Sequence, residues 1–503
     1  MPFDLAVVAA YLLLAIWGGR RLARGRTTLR DYYLTGRRMP WWAVAGSIVA
    51  TETSTVTVIS VPAYAFGSNL TFLQLALGYL AGRVLVAFVL LPAYFDRDLL
   101  SAYQLLSARV GQAFGRGAAV VFLLTRNVAD GLRLFATALV LAAMLTTVTG
   151  AVGLAGLPQT PVVIFAIGVI AAATLAYTWV GGMTAVVWMD VVQLAIYLSG
   201  ALVAAATLLA GLPGGAREAV AAAEEAGKLV MFDFAWDLRR DYTFWSGVFG
   251  GAVFTASTHG TDQMFVQRYL CSRSLADARL ALVASGVFVF FQFALFLGIG
   301  VLLWSFYAAG ESPALAPIVA EGAVQADRVF PLFLMTHLPT GLRGLVLAAV
   351  VAAAMSTLSS SLNSSAASTI GDFYLGGGTA GAQSEARALR ASRWVTGAWA
   401  AVQVCVAVAA IGVSQRVIDD VLTVQFFSGG LMLGVFLLSV LIARPTSGVG
   451  LAGLAGGLVT IVSVSLLSDL SWQWYVLVGS AATIGAGYAA DRIRQAAAPG
   501  DAE

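Results

Sequence analysis

Apolar stretches of about 20 residues, each long enough to cross a bilayer of roughly 30 Å, recur along the whole of this chain. Thirteen are read, at about 3–19, 41–66, 72–96, 118–146, 160–178, 183–210, 243–262, 279–307, 340–369, 392–413, 419–443, 449–467 and 472–490. In hydrocarbon a backbone must satisfy its own hydrogen bonds, so such runs become helices or the strands of a closed barrel. No alternating pattern marks barrel strands, and 53 glycines with only 11% charged residues suit close-packed helices. The expected class is an all-α membrane protein of about 13 transmembrane helices. A mean hydropathy of +0.85 excludes a soluble globular domain.

Arginines set the expected orientation. Arg20, Arg21, Arg24, Arg26, Arg30, Arg37 and Arg38 crowd the loop after the first span, and short basic loops stay in the cytoplasm. The N-terminus then lies outside and the C-terminus inside, in the cell (inner) membrane, and Arg268, Arg273, Arg387, Arg390, Arg393, Arg444, Arg492 and Arg494 all fall on the inner side. The net charge of +3 therefore reports topology, and nucleic acid has no basic face to meet. The first span lacks the basic start and small-residue cleavage site of a signal peptide and is read as a helix. Cys271 and Cys405 stand apart, and His259 and His337 are the only histidines, so no disulfide framework or metal cluster is indicated. No nucleophile-base pair, zinc spacing or phosphate loop appears, since Gly376-Gly377-Gly378 lacks the necessary strand and lysine. An enzyme is not expected.

Polar residues at membrane depth are expensive and mark sites by default. The second span carries Ala50-Thr51-Glu52-Thr53-Ser54-Thr55-Val56-Thr57 at its middle, then Pro62 and Gly67. Such a segment is expected to unwind and expose carbonyls to an ion, as interrupted helices of transporters do. The seventh span repeats the device with Gly250-Gly251 and Thr255-Ala256-Ser257-Thr258-His259-Gly260. Glycines that merely permit tight packing explain either segment alone; the pair points to a central site between inverted repeats. In the ninth span Ala353, Ser356, Thr357 and Ser360 fall at i, i+3, i+4 and i+7, lining one helix face with oxygen. Sodium prefers such ligands; hydroxyls that bond the previous turn and let helices pack closely are the structural alternative.

Charge is buried as well. Arg126, Asp130 and Arg133 share one face of the fourth span, and Asp130 can neutralise one arginine, leaving the other for an anion or a further carboxylate. Asp190 is a second intramembrane carboxylate, in the sixth span. Asp262 with Arg268 reads as an inner latch. The charges of the 211–242 loop read as a solvated face, and Gln425 with Ser428-Gly429-Gly430 as an inner-facing gate.

Three stretches together resemble the sodium/solute symporter family: Gly260-Thr261-Asp262-Gln263 through Val266-Gln267-Arg268-Tyr269-Leu270; Gly181-Gly182 with Trp188-x-Asp190-Val191-x-Gln193; and Ala354-Met355-Ser356-Thr357-Leu358-Ser359-Ser360-x-Leu362-Asn363-Ser364. The resemblance covers about residues 5–445. It implies a leucine-transporter-like fold: an extra N-terminal helix and basic cytoplasmic loop at 1–40, a five-helix repeat at 41–210, an external loop at 211–242, an inverted repeat at 243–443, and two peripheral helices at 444–503. It also implies a sodium site from Ala50, Thr53 and Ala353 carbonyls with Ser356 and Thr357 hydroxyls. A further sodium, as in some members, would use Asp190 with Ser356, Ser359 and Ser360, giving one or two ions.

Substrate positions depart from the sugar carriers of that family, whose lysine and glutamine align with Val289 and Leu422. Thr57, Gln74, Thr255 and His259 fall at or near substrate-contacting positions, and Gln425 is added as a polar candidate. With Arg133 nearby, a small carboxylate is the first choice, and an amino acid or vitamin the neutral alternative. Thr258 replaces the aromatic inner gate of the sugar carriers, which moves the expected gate to Phe426 or Phe427. Glu52 is read as a solute contact, a proton acceptor or a brace, and Asp262 as a coupling residue. The expectation is a sodium-coupled importer, acting as a monomer in the lipid bilayer on a small-molecule solute. Its rivals are a proton-coupled carrier using Glu52 or Asp190, a channel, and a sensor, for whose signalling domain these 503 residues leave no room.

Overall fold

The computed structural model describes residues 2–22, 28–96, 99–151, 159–212, 214–307, 312–320, 323–375, 382–413 and 415–497. In the first half they form α1 (Pro2–Leu22), α2 (Leu29–Leu34), α3 (Trp41–Glu52), α4 (Thr55–Gly67), α5 (Leu73–Val89), α6 (Leu91–Phe95), α7 (Tyr103–Arg109), α8 (Gln112–Ala151), α9 (Gln159–Ala210) and α10 (Gly215–Glu225). The second half supplies α11 (Gly251–Thr261), α12 (Gln263–Leu270), α13 (Leu275–Phe306), α14 (Ala326–His337), α15 (Leu342–Ser368), α16 (Ala382–Ala409), α17 (Gln415–Leu441), α18 (Ser447–Leu467) and α19 (Tyr475–Ala497). Extended pairing among the described residues consists of Val319–Ala320 against Ala323–Val324 and one isolated bridge between Met39 and Ser272.

Every expected span meets a helix or a broken helix. On length and hydropathy alone, five helical stretches of the described residues are apolar enough to cross a bilayer, six when the bent pair α3 and α4 counts as one. Leu73–Val89 and Ser428–Leu441 are also apolar but shorter than 18 residues. At 1.5 Å per residue, the 52 residues of α9 would reach about 78 Å, more than twice a bilayer core. Gly182, with φ 53° and ψ −154°, divides it into two, as the separate apolar runs on either side require.

At the centre stands α15, buried at every residue from Val346 to Ser368. A helix so rich in hydroxyls survives at membrane depth because neighbouring helices supply partners. Gln403 Nε2 donates to Ser361 Oγ at 2.9 Å, Asn127 Nδ2 to Ser365 Oγ at 2.9 Å, and Gln267 Nε2 to Asn363 Oδ1 at 2.8 Å. The apolar core follows the same helix, with Leu347, Val351 and Met355 meeting one cluster and Val346, Val350 and Ala353 another.

Gly182 gives the fold's sharpest backbone test. Its conformation is close to glycine-only space, and an added Cβ would stand 2.5 Å from the Tyr32 carbonyl oxygen. Gly182→Ala is expected to cost at least about 1–3 kcal/mol and to lower the melting temperature of the detergent-solubilised protein. Gly298→Ala, whose Cβ meets nothing within 4 Å, is the neutral control.

Candidate functional site

Among the described residues, two single spans are interrupted at membrane depth, and the interruptions face each other. In the first, Thr53 (φ −83°, ψ 100°) and Ser54 (φ −94°, ψ 169°) are extended, and the helices on either side bend by 64°. Crowded hydroxyls offer the backbone an alternative to the helical ladder: Thr53 Oγ1 donates to the Val49 carbonyl at 2.9 Å, and Ser54 Oγ accepts from the Thr57 amide at 3.4 Å. The last amide to bond back is that of Thr53, to Val49 at 3.1 Å. Carbonyls of the final turn, from Ala50 on, thereby lose the partners of a continuous helix.

The second interruption lies later than 250–260, where the glycines and hydroxyls suggested it. Ser246–Gly250 is a π-helical turn, and Thr255 to Gly260 stay helical, because Thr258 and Thr261 bond carbonyls of the preceding turn, Phe254 at 3.3 Å and Ser257 at 2.9 Å. Asp262 breaks the ladder: its backbone is extended (φ −80°, ψ 122°) and its carboxylate caps α12 by accepting from the Met264 amide at 2.8 Å.

Where the breaks meet, Glu52 Oε2 lies 3.7 Å from His259 Nε2. Arg83, fully buried, ion-pairs with Glu52, donates to Ser285 Oγ at 3.0 Å and sits 3.3 Å from His259 Nε2, while His259 Nδ1 lies 2.8 Å from the Tyr269 hydroxyl. Beside this group opens a cavity of about 650 Å³. Glu52, Ser54, Thr57, Arg126, Arg133, Thr258, His259 and Thr357 contribute to its wall, with an aromatic lining that includes Tyr64, Phe72, Tyr79, Tyr242, Phe254 and Phe293.

Of the expected ion ligands, Thr357 reaches across to the first break, its Oγ1 donating to the Thr51 carbonyl at 3.2 Å and to Ala353 at 3.4 Å. Ala50, Thr53 and Ala353 are buried around this junction. Thr53 Oγ1 is further held by Gln292 Nε2 at 2.6 Å and the Tyr197 hydroxyl at 3.2 Å, partners the sequence reading missed. Ser356 turns to the other side, donating to Asp190 Oδ1 at 2.6 Å. Ser359 and Ser360 bond back to the Ser356 carbonyl at 3.1 and 2.6 Å.

Asp190 already has a cation. Arg268 Nη2 lies 2.9 Å from Asp190 Oδ2, so the expected Asp262 and Arg268 latch is not formed. Asp262 instead ion-pairs with Arg126, and Asp130 Oδ1 holds Arg133 at 2.5 Å and Arg126 at 3.6 Å. Of the two partners expected for the second arginine, an anion or a further carboxylate, the structure supplies the carboxylate, from Asp262 at 136 positions from Arg126.

Thr57, Arg133 and His259 reach the cavity among the expected solute contacts. Gln74 does not. Its amide is spent on the Thr71 and Tyr242 carbonyls (3.1 and 2.7 Å) and the Asp233 amide (3.1 Å), where it fastens the 211–242 loop. Thr255 is buried against α5, with Gly82 beside its Cβ, rather than on the cavity wall. The side chains of Gln425, Phe426 and Phe427 lie outside the described residues.

Residues 32–457 match the family model described as "Sodium:solute symporter family". The human sodium/iodide cotransporter is 32% identical over 483 residues, covering 93% of this chain and 70% of that one. The sodium/sialic acid symporter SiaT of Proteus mirabilis (strain HI4320) is 26% identical over 487 residues, covering 96% and 93%. Human sodium-coupled monocarboxylate transporter 1 is 28% identical, covering 90% and 70%. A solved substrate-bound, outward-open Na+-coupled sialic acid symporter superposes with a TM-score of 0.84 over 98% of both chains at 26% identity. Mhp1, a nucleobase-cation-symport-1 family transporter, shares the fold with a TM-score of 0.56 at 14% identity, over 94% of this chain and 96% of its own.

The Glu52 and Arg83 pair makes a direct test of the buried charge. Arg83→Met strands a carboxylate and is expected to cost about 3–5 kcal/mol, read as a lowered melting temperature. The double variant Glu52→Gln with Arg83→Met is expected to recover most of that loss.

Proposed function

Because this chain belongs to the sodium:solute symporter family, we propose that it is a sodium-coupled importer of a small organic carboxylate. Sodium-coupled symport across a membrane is the family's activity. The supporting observation is the meeting, on one cavity, of Arg133 and the first turn of α4, with Ser54 and Thr57 on the wall. A half-helix N-terminus carries partial positive charge and favours an anionic group, and broken helices of transporters use it so.

Charge balance supports the same solute. Arg83, Arg126, Arg133 and Arg268 are matched in the bundle by Glu52, Asp130, Asp262 and Asp190. A sodium ion adds one positive charge to a neutral interior, and an anionic solute restores neutrality at low dielectric cost. The relatives named above are named for iodide, sialic acid and monocarboxylates, all anions at neutral pH. A cavity of about 650 Å³ with aromatic walls suits an organic anion better than a bare halide.

In this reading sodium binds Ala50, Thr53, Ala353, Ser356 and Thr357, where α15 closes the break between α3 and α4. Ser356 can donate to Asp190 and still accept a cation through its second lone pair. Sodium fixes the direction of α4, and with it the dipole and hydroxyls offered to the carboxylate. The coupling is reciprocal, each ligand raising the affinity for the other by the same factor. The expected orientation, N-terminus outside, places Tyr242 and the 211–242 loop at the outer mouth of the cavity.

A thermal-shift screen of carboxylates, iodide, amino acids, vitamins and sugars, with and without sodium, tests the solute class. Stabilisation by a carboxylate only when sodium is present is the expected outcome; stabilisation by iodide alone or by a neutral solute alone overturns it. In proteoliposomes loaded with the best carboxylate, Thr357→Ala is expected to raise the sodium concentration for half-maximal uptake about tenfold, one hydrogen-bond-strength ligand lost. Unchanged sodium dependence removes Thr357 from the site, and equal uptake in sodium-free buffer across a pH gradient makes the carrier proton-coupled.

A further inference from the structure

The loop that reaches the cavity at Tyr242 has its polarity inside out. Residues 230–237 form no helix, and their exposure alternates with a period of two, as side chains of an extended chain do. Phe232, Phe234, Trp236 and Leu238 are 44%, 63%, 70% and 41% exposed. Between them Asp233, Ala235 and Asp237 are only partly exposed. The Asp233 carboxylate accepts from the Ala235 amide at 3.0 Å and pairs with Arg240 at 2.8 Å, and the Asp237 carboxylate accepts from the Arg239 amide at 2.9 Å. A surface that faces water arranges such a segment the other way round.

We propose that this strap lies in the interfacial layer of the bilayer, with its aromatic face against lipid. The proposal needs the chain to be a membrane protein and depends on neither the solute nor the sodium reading. Depth comes from α18, which is apolar enough to cross the bilayer and ends at Leu467. The strap is tied to the turn just beyond that end: the Leu238 carbonyl accepts from the Ser471 amide at 2.9 Å, and Arg239 lies 3.8 Å from Asp469. It therefore runs at the level where a span leaves the membrane. Rings then lead from the strap onto the seventh span. Trp236 meets Trp245 edge-on with centroids 4.9 Å apart, and Trp245 stacks at 6.1 Å on Phe249, which is itself exposed. Arg239 and Arg240 follow the aromatic run with most of their side chains exposed. Aromatic rings beside arginines are the composition of a membrane interface, where rings sit at headgroup level and guanidinium groups reach phosphate.

The backbone is prepared for such a place. Main-chain groups that leave water need other partners, and protein supplies them here. The Val230 carbonyl accepts from the Leu70 amide at 3.1 Å, and the Asp233 carbonyl from the Phe244 amide at 2.7 Å. The Phe234 carbonyl accepts from Trp245 Nε1 at 3.3 Å, and the Asp233 amide donates to Gln74 Oε1 at 3.1 Å. A second copy of this chain is the rival occupant of the aromatic face. A protein interface is closed by a polar rim, whereas this patch runs on through Trp245 and Phe249 into the surface of a membrane span. Lipid covers both without a seam.

Full-length protein in phosphatidylcholine vesicles, some of whose acyl chains carry a photoactivated diazirine, reports the contact directly. Lys228 and Arg239 bound a tryptic peptide, 229–239, that contains the strap. In the wild type this peptide is expected to be cross-linked to lipid, and peptide 218–228, from α10, to remain free of label. The double variant Phe234→Asn with Trp236→Asn is expected to lose the label from the strap. An unlabelled 229–239 in the wild type, equal labelling of both peptides, or a label that survives the two substitutions overturns the proposal. Should the double variant fail to fold, a nitroxide on Trp236→Cys, in a Cys405→Ser background, decides beside the wild-type labelling. Oxygen dissolved in the bilayer is expected to relax that nitroxide more strongly than a water-soluble nickel chelate. The reverse order overturns the proposal, and protection from both reagents with spin-spin broadening gives the face to a second copy and overturns it as well.

Discussion

A break in a helix at membrane depth exposes backbone that hydrocarbon cannot satisfy, and the architecture is arranged around sealing one such break. The seal is the contact between α15 and the end of α3, where Thr357 Oγ1 donates to the Thr51 carbonyl at 3.2 Å. Without a buried, oxygen-bearing helix against it, the Thr53 and Ser54 segment would leave unpaired carbonyls in an apolar medium at several kcal/mol each. This is why α15 can be buried along its length while carrying so many hydroxyls. Its polarity faces other protein.

Charge follows the same logic at larger energy. An arginine held in hydrocarbon persists because a carboxylate accompanies it, and here the partners come from the ends of broken helices. Glu52 closes α3 and meets Arg83; Asp262 opens α12 and meets Arg126; Arg268, in the last turn of α12, meets Asp190 of α9. Each break is thereby fastened by an ion pair to an unbroken neighbour, α5 or α8. A segment free to unwind is held by charges with no cheaper place to go, which lets the breaks stay ordered without being helical.

What could be read in the sequence follows from the range of each interaction. Helical periodicity acts over a few residues, so the oxygen face of Ala353, Ser356, Thr357 and Ser360 and the shared face of Arg126, Asp130 and Arg133 were visible at once. The first break was legible because its hydroxyls are crowded into one stretch. The second was placed too early, because Thr255 to Gly260 looks polar but satisfies itself within the helix, whereas one carboxylate at Asp262 acts as a cap. Partner choice was the least legible property. Arg126 finds Asp262 at a separation of 136 positions and Arg268 finds Asp190 at 78, distances at which a single sequence carries no pairing signal. Asp262 and Arg268 stand closer in the chain, yet the cap geometry turns Asp262 toward α8. Gln74 lies off the cavity wall for a related reason: a glutamine inside a span looks functional, and only the loop folding back over α5 reveals that its amide is already used.

The proposed coupling needs no long-range pathway, because the ion and the solute share five consecutive residues. Thr53, at the C-terminal end of α3, is a proposed sodium ligand, and Thr57, in the first turn of α4, lies on the solute cavity wall. The partial negative charge at the end of α3 favours a cation, and the partial positive charge at the start of α4 favours an anion. Bending the helix by 64° between them puts opposite fields side by side. Straightening that bend would return the freed carbonyls to the helical ladder and merge the two dipoles, weakening both sites at once. Sodium and solute therefore stabilise the same bent conformation, and each binds more tightly when the other has already met the cost of holding it. In this account cotransport originates in a single kinked helix, and the surrounding bundle serves to keep the kink dry, neutral and in register with α15.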